Sequence, residues 1–142
     1  MKKVLFTVAL MFGAMVASAQ VSVVKEAKAM KKDPAAAAKV LEAALTNPET
    51  ANDPNTWQLA GDLQKAIYDE ENMKLYLPGG QADMPKMYNA MLKMFEYYLK
   101  CDEVEQAGIA NGTVKKAKLR KKNADALLKV RGNLANGGVE AF

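Results

Sequence analysis

The side chains most suited to chemistry in this chain carry sulfur. Met84, Met87, Met91 and Met94 recur at spacings of three, four and three, and Cys101 extends the same helical face. Thioether and thiolate sulfur suit Cu(I), so Met87, Met91, Met94 and Cys101 form one candidate metal set, that of a periplasmic soft-metal binder. The competing reading is a packed core, in which methionine fills irregular gaps between helices. Cys101 is the single cysteine, so it has no internal disulfide partner. Its place at the end of an apolar stretch suits a buried thiol.

Other chemistry finds little in the sequence. There is no histidine, which removes the commonest general base and the commonest metal ligand. One cysteine does not make a zinc site of ordinary spacing. No glycine-rich loop follows a strand pattern, and the adjacent Asp69, Glu70 and Glu71 lack the alternating ligands of a calcium loop. The expectation is a protein without catalytic residues and without a cofactor. A basic run remains, with Lys115, Lys116, Lys118, Arg120, Lys121 and Lys122 in eight positions. It suits an anionic lipid, a polysaccharide or a nucleic acid, or is a solvated helix start. Cations at a helix N-terminus oppose the helix dipole, so the run is expected either to fray or to meet an anion.

The chain has 142 residues and a formal charge of +4. Residues 1–19 have the three parts of an export signal: the charged Met1-Lys2-Lys3, an apolar run from Val4 to Val16, and the small-residue site Ala17-Ser18-Ala19. Cleavage is expected between Ala19 and Gln20, which leaves one domain, 20–142, in the periplasm or secreted. Export argues against a nucleic-acid partner. No later stretch is long and apolar enough to span a bilayer.

Helical patterns follow in order. Val21 to Lys31 is the first. Asp33-Pro34 opens the second, to about Leu45, and Asp53-Pro54 opens the third, to about Tyr68; in both, Asp is a good N-cap and proline suits the first helical position. Thr50 to Asn52 reads as a linker and Asp69 to Asp83 as a loop. Met84 to Cys101 is a helix whose polar residues, Lys86, Asn89, Lys93, Glu96 and Lys100, lie in one row, so it needs cover on most of its circumference. Asp102 to Gly112 reads as polar and ends in an Asn-Gly turn signal. A last helical pattern uses Val114, Ala117, Ala124, Leu127, Leu128, Leu134 and Ala141. No segment alternates as a strand does, and the class is all-α.

The helices pair into hairpins. In the third, Trp57-Gln58-Leu59-Ala60-Gly61 resembles the start of a tetratricopeptide repeat, with Gln64 where a Tyr is usual. In the following helix Ala90 fits the small position, Met94 stands for the usual Phe, and Tyr97 replaces a small residue. Counted back from Pro48, Ala36, Val40 and Ala43 fit the small, large, small positions of the preceding unit, and Val23 and Val24 fall where Leu and Gly usually sit. Leu134 to Phe142 reads as the start of a third unit. The chain thus resembles the N-terminal part of an exported bacterial tetratricopeptide-repeat protein. That resemblance implies stacked antiparallel hairpins, a protein or peptide partner, and a concave face carrying Lys25, Lys28, Asn55, Gln58, Asp62 and Lys65. It also implies a repeat array incomplete at its C-terminus, with self-association through the last helix as one way to cover that helix. The mass of the exported protein is expected to correspond to a chain beginning at Gln20, and a membrane-retained form still carrying Met1 would overturn the leader reading.

Overall fold

The computed structural model describes residues 21–30 and 32–140, with side chains through Ala135. The expected leader, its cleavage point at Gln20, Lys31, and Ala141 and Phe142 lie outside the described residues. Among the described residues the chain is all-helical and has no strand. α1 covers 21–29. It is followed by α2 (Pro34–Thr46), α3 (Pro48–Ala51), α4 (Pro54–Lys74), α5 (Met84–Ala110) and α6 (Arg120–Glu140).

Four of these helices start by the same local device. An Asp or Asn holds the N-cap and a proline follows at once or one residue later. Asp33 Oδ1 accepts the Ala36 N–H at 2.9 Å, and Asn47 Oδ1 accepts that of Glu49 at 2.9 Å. Asp53 Oδ1 accepts that of Asn55 at 2.9 Å, and Asp83 Oδ1 that of Lys86 at 3.0 Å. Each bond satisfies a donor that the first helical turn leaves without an intrahelical partner.

The start of α6 has no such residue, and the backbone just before it is held from another helix. Glu105 on α5 is 2 % exposed. Its Oε1 accepts the backbone N–H of Lys118 at 2.8 Å and that of Leu119 at 3.1 Å. The preceding connection is held in a similar way. Glu71 on α4 is 1 % exposed. Its Oε2 accepts the Asp83 N–H at 3.0 Å and the Lys74 ammonium at 2.7 Å, and its Oε1 accepts the Lys86 ammonium at 2.7 Å. These partners, Lys74 foremost and then Lys86, hold the Glu71 carboxyl down at about 2, and Glu71 in turn raises the pKa of Lys86.

The apolar residues form two clusters. One joins α1, α2 and α4 through Ala27, Ala37, Leu41, Ala44, Leu59, Ala60 and Leu63. The other joins α4, α5 and α6 through Ile67, Tyr68, Met87, Ala90, Met91, Met94, Tyr98 and Val130. α4 belongs to both and is the middle element. It meets α5 closely at Gly61, where an added Cβ would lie 2.3 Å from Cδ1 and Cε1 of Tyr98. The close crossing is therefore Gly61 on Tyr98. Neighbouring Tyr97 packs instead on Trp57, with ring centroids 5.9 Å apart. The Trp57 indole N–H donates to Ala51 O at 2.7 Å and ties α3 to α4.

Several expected boundaries move. α4 continues six residues past Tyr68, to Lys74, and α5 nine past Cys101, to Ala110. Both extensions are rich in charge, which is why they read as loops, yet each buries one glutamate against backbone N–H groups. The segment read as a linker contains the short α3. The polar row of α5 is a wider exposed face, since Leu92 and Leu99 are also exposed.

Two outcomes follow from these contacts. Gly61→Ala is expected to cost about 1–3 kcal/mol through the clash with Tyr98. Gly132→Ala, in α6 where nothing lies within 4 Å of an added Cβ, should gain up to about 1 kcal/mol from helix propensity; thermal melts compare the two. Glu71→Gln should cost about 2–3 kcal/mol at neutral pH, because Lys74 and Lys86 lose their shared anion. The folded pKa of Glu71 lies below its ordinary 4.5. Its contribution is therefore present above pH 4.5 and lost as pH falls toward 2. Denaturant titrations across that window should show the gap between parent and variant closing on the acid side.

Candidate functional site

Two open grooves border α4, one shared with α1 and the other with α5 and α6. The first is lined by Lys28 of α1 and by Asn55, Gln58, Leu59, Asp62, Leu63 and Ala66 of α4, and has a volume of about 560 Å³. The second, of about 570 Å³, is lined by Asp62 and Lys65 of α4, Tyr98 of α5, Lys118, and Lys121, Lys122, Asp125, Ala126 and Lys129 of α6. Asp62 belongs to both.

Asp62 is held from three sides. Its Oδ1 accepts the Tyr98 hydroxyl at 2.7 Å and the Gln58 amide N–H at 2.9 Å. Its Oδ2 accepts the Lys122 ammonium at 2.9 Å. Burial first, and then the hydrogen bond to Asp62, raise the Tyr98 pKa, so the phenol stays a neutral donor. The result is a fixed acidic point between two grooves, with helices α4, α5 and α6 each contributing to it.

Lysines surround this point. Five of them, Lys65, Lys118, Lys121, Lys122 and Lys129, line the second groove against two aspartates. Lys65 pairs with Asp69 and Lys122 with Asp62. Just outside, Arg120 Nε lies 3.2 Å from Asp102 Oδ1 as an ion pair, although that buried oxygen has no aligned hydrogen bond. The anion that the basic run calls for is partly internal: the Glu105 carboxylate sits on the N–H groups of Lys118 and Leu119. That contact orders the approach to α6, and the lysine side chains project from a fixed backbone.

Of the residues assigned to a concave face, Lys28, Asn55, Gln58 and Asp62 line the first groove and Asp62 and Lys65 the second. Lys25 is exposed on α1. Two have structural duties. Asn55 Nδ2 donates to the capping Asp53 at 2.8 Å, and Gln58 is buried beneath Asp62. Lys118, Lys121, Lys122 and Lys129 were not assignable to this face from the sequence, because the pairing that brings them there, Lys122 with Asp62, spans sixty residues.

Met87, Met91 and Met94 lie together, each at most 2 % exposed, among the apolar residues of the α4–α5–α6 cluster. Cys101 is not in that cluster. Its Sγ is 3.2 Å from Pro54 O and 3.8 Å from Gln58 Oε1. Burial pushes the thiol up to about 11, against a smaller lowering by the neighbouring Asn123 amide. It is a protonated donor to α4, which ties α5 to the first turn of that helix. Among the described residues, no group of three or more Cys, Asp or Glu is arranged to hold a metal ion.

In comparisons with known proteins, no family model matches this chain, and no curated protein or solved structure matches it.

Proposed function

We infer that this chain is an exported, non-catalytic helical-repeat module of the tetratricopeptide kind, and that its two joined grooves bind an extended acidic segment of another protein. The observation that carries the reading is the convergence of Lys28, Lys65, Lys118, Lys121, Lys122 and Lys129 on adjoining grooves with apolar floors at Leu59, Leu63 and Ala126. An extended peptide offers alternating acidic and apolar side chains at a spacing such a surface accepts. Lysine is a flexible point charge without the planar fork of arginine, so the surface suits runs of carboxylates better than one carboxylate in fixed geometry. Asp62, half-exposed and held by its three donors, sets the polarity at the junction and disfavours an acidic side chain there. The succession of hairpins α1–α2 and α4–α5, followed by α6, agrees with a repeat array in which the first helix of each pair faces the ligand.

A short labelled peptide in which Glu and Asp alternate with Leu and Ala is the probe. It should bind the protein in fluorescence anisotropy, weakening as salt rises above the physiological range, where charges about 8 Å apart become screened. Lys121→Glu/Lys129→Glu should lower the affinity about tenfold or more, by turning attraction into repulsion. Both side chains are exposed, so the fold should be unchanged by circular dichroism. An acidic peptide that does not bind, or that binds the double variant as well as the parent, would defeat the reading.

A further inference from the structure

The connection between α4 and α5 carries the densest exposed apolar group among the described residues. Met73 is 62 % exposed, Leu75 49 %, Tyr76 77 % and Leu77 55 %. Single exposed apolar residues are ordinary on a protein surface. Four within five positions at the end of a helical hairpin concentrate exposed apolar surface in one place, and such concentrations mark interaction sites.

The build of this tip narrows the choice of partner. Its backbone donors are bonded within the turn: Leu75 N–H to Asn72 O at 3.2 Å, Tyr76 N–H to Met73 O at 3.1 Å, Leu77 N–H to Lys74 O at 3.2 Å and Gly80 N–H to Leu77 O at 3.0 Å. Pro78 has no N–H to satisfy. A segment entering hydrocarbon must meet its own backbone hydrogen bonds, and this one largely does so. The turn is also closed tightly. A Cβ on Gly80 would stand 2.1 Å from Lys74 O, and the Glu71 carboxylate bonds both Lys74 before the tip and the Asp83 N–H after it. The apolar side chains are thus presented without ordering a mobile loop.

At the base of the tip, the ammonium groups of Lys74 and Lys86 converge on Glu71, and Glu70 and Asp83 lie beside them. Tyrosine and lysine at the edge of an apolar group fit the headgroup level of a bilayer. With two lysines against three carboxylates there is no excess of positive charge to draw the tip to anionic lipid. We propose that the Met73–Leu77 tip inserts into the interfacial layer of a neutral, zwitterionic bilayer and seats the protein reversibly on a membrane surface.

The test uses the protein as isolated from its own cells, with phosphatidylcholine vesicles as the probe. The parent should float with the vesicles, and Leu75→Ser/Tyr76→Ser/Leu77→Ser should reduce the bound fraction at equal lipid by about tenfold or more, as expected for removing this much apolar area from the interface. The chain outside the tip is identical in the two proteins, so their difference reads the tip alone. All three positions are exposed, so the variant should melt as the parent does. In Tyr76→Trp, bromine carried on the lipid acyl chains should quench fluorescence beyond the level seen for Trp57 in the parent. Absence of binding to neutral vesicles would overturn the proposal, as would a triple variant that floats as well as the parent. Binding that requires anionic lipid and is lost in Lys121→Glu/Lys129→Glu would also overturn it, and would point to the lysine groove as the membrane contact.

Discussion

A carboxylate removed from water has to regain its hydrogen bonds inside the protein, and where it finds them fixes a good deal of backbone. Glu71 and Glu105 are two such groups, each within five residues of the end of a long helix. Each reaches backbone N–H groups at or just before the start of the next helix: Asp83 for Glu71, Lys118 and Leu119 for Glu105. The two connections are equal in length but differ in composition, one apolar and one basic, and the same device anchors both. It sets where α5 and α6 begin relative to the helix before, and so how each presents its faces to the core.

With those starts fixed, packing follows the size of the side chains at the crossings. α4 serves two clusters from different positions along its length, while α5 lies along it from the first turn, where Cys101 meets Pro54. Leu59, Ala60 and Leu63 face α1 and α2, while Ile67 and Tyr68 face α5 and α6. Alanine dominates the first interface at Ala27, Ala37, Ala44 and Ala60, which lets the helices lie close. Methionine and tyrosine dominate the second at Met87, Met91, Met94, Tyr68 and Tyr98, whose larger side chains fill the space between α4, α5 and α6. At Gly61 α4 yields its own volume to the Tyr98 ring. The ring's hydroxyl can then reach Asp62, and the core contact and the groove junction become one feature.

How much of this was legible in the sequence depended on the range of the interaction. The helix starts at Pro34 and Pro54 were readable because Asp33 and Asp53 act on residues two or three positions away. The buried methionine face was readable because its period is that of one helix. The ends of α4 and α5 were not, because charged stretches such as Asp69-Glu70-Glu71 carry no local sign that the third carboxylate will be buried twelve residues from its backbone donor. The groove was half legible. Asn55, Gln58, Asp62 and Lys65 follow from the position of Trp57 on α4, whereas the α6 lysines arrive through a tertiary register to which distant residues such as Asp62, Tyr68 and Glu105 contribute.

The two candidate surfaces inherit their rigidity from the same pair of glutamates. Glu105 fixes the backbone from which Lys118, Lys121 and Lys122 project, and Glu71 closes the base of the apolar tip. Replacing either glutamate would therefore disturb a surface and the fold together, and a loss of binding in such a variant would say nothing about contact. Side chains that stand beyond the clasps, Lys121 and Lys129 on one surface and Leu75, Tyr76 and Leu77 on the other, are exposed and can change without leaving a buried group unpaired. The separation of framework from surface at each connection lets one helical scaffold carry a basic groove and an apolar tip whose interactions vary independently.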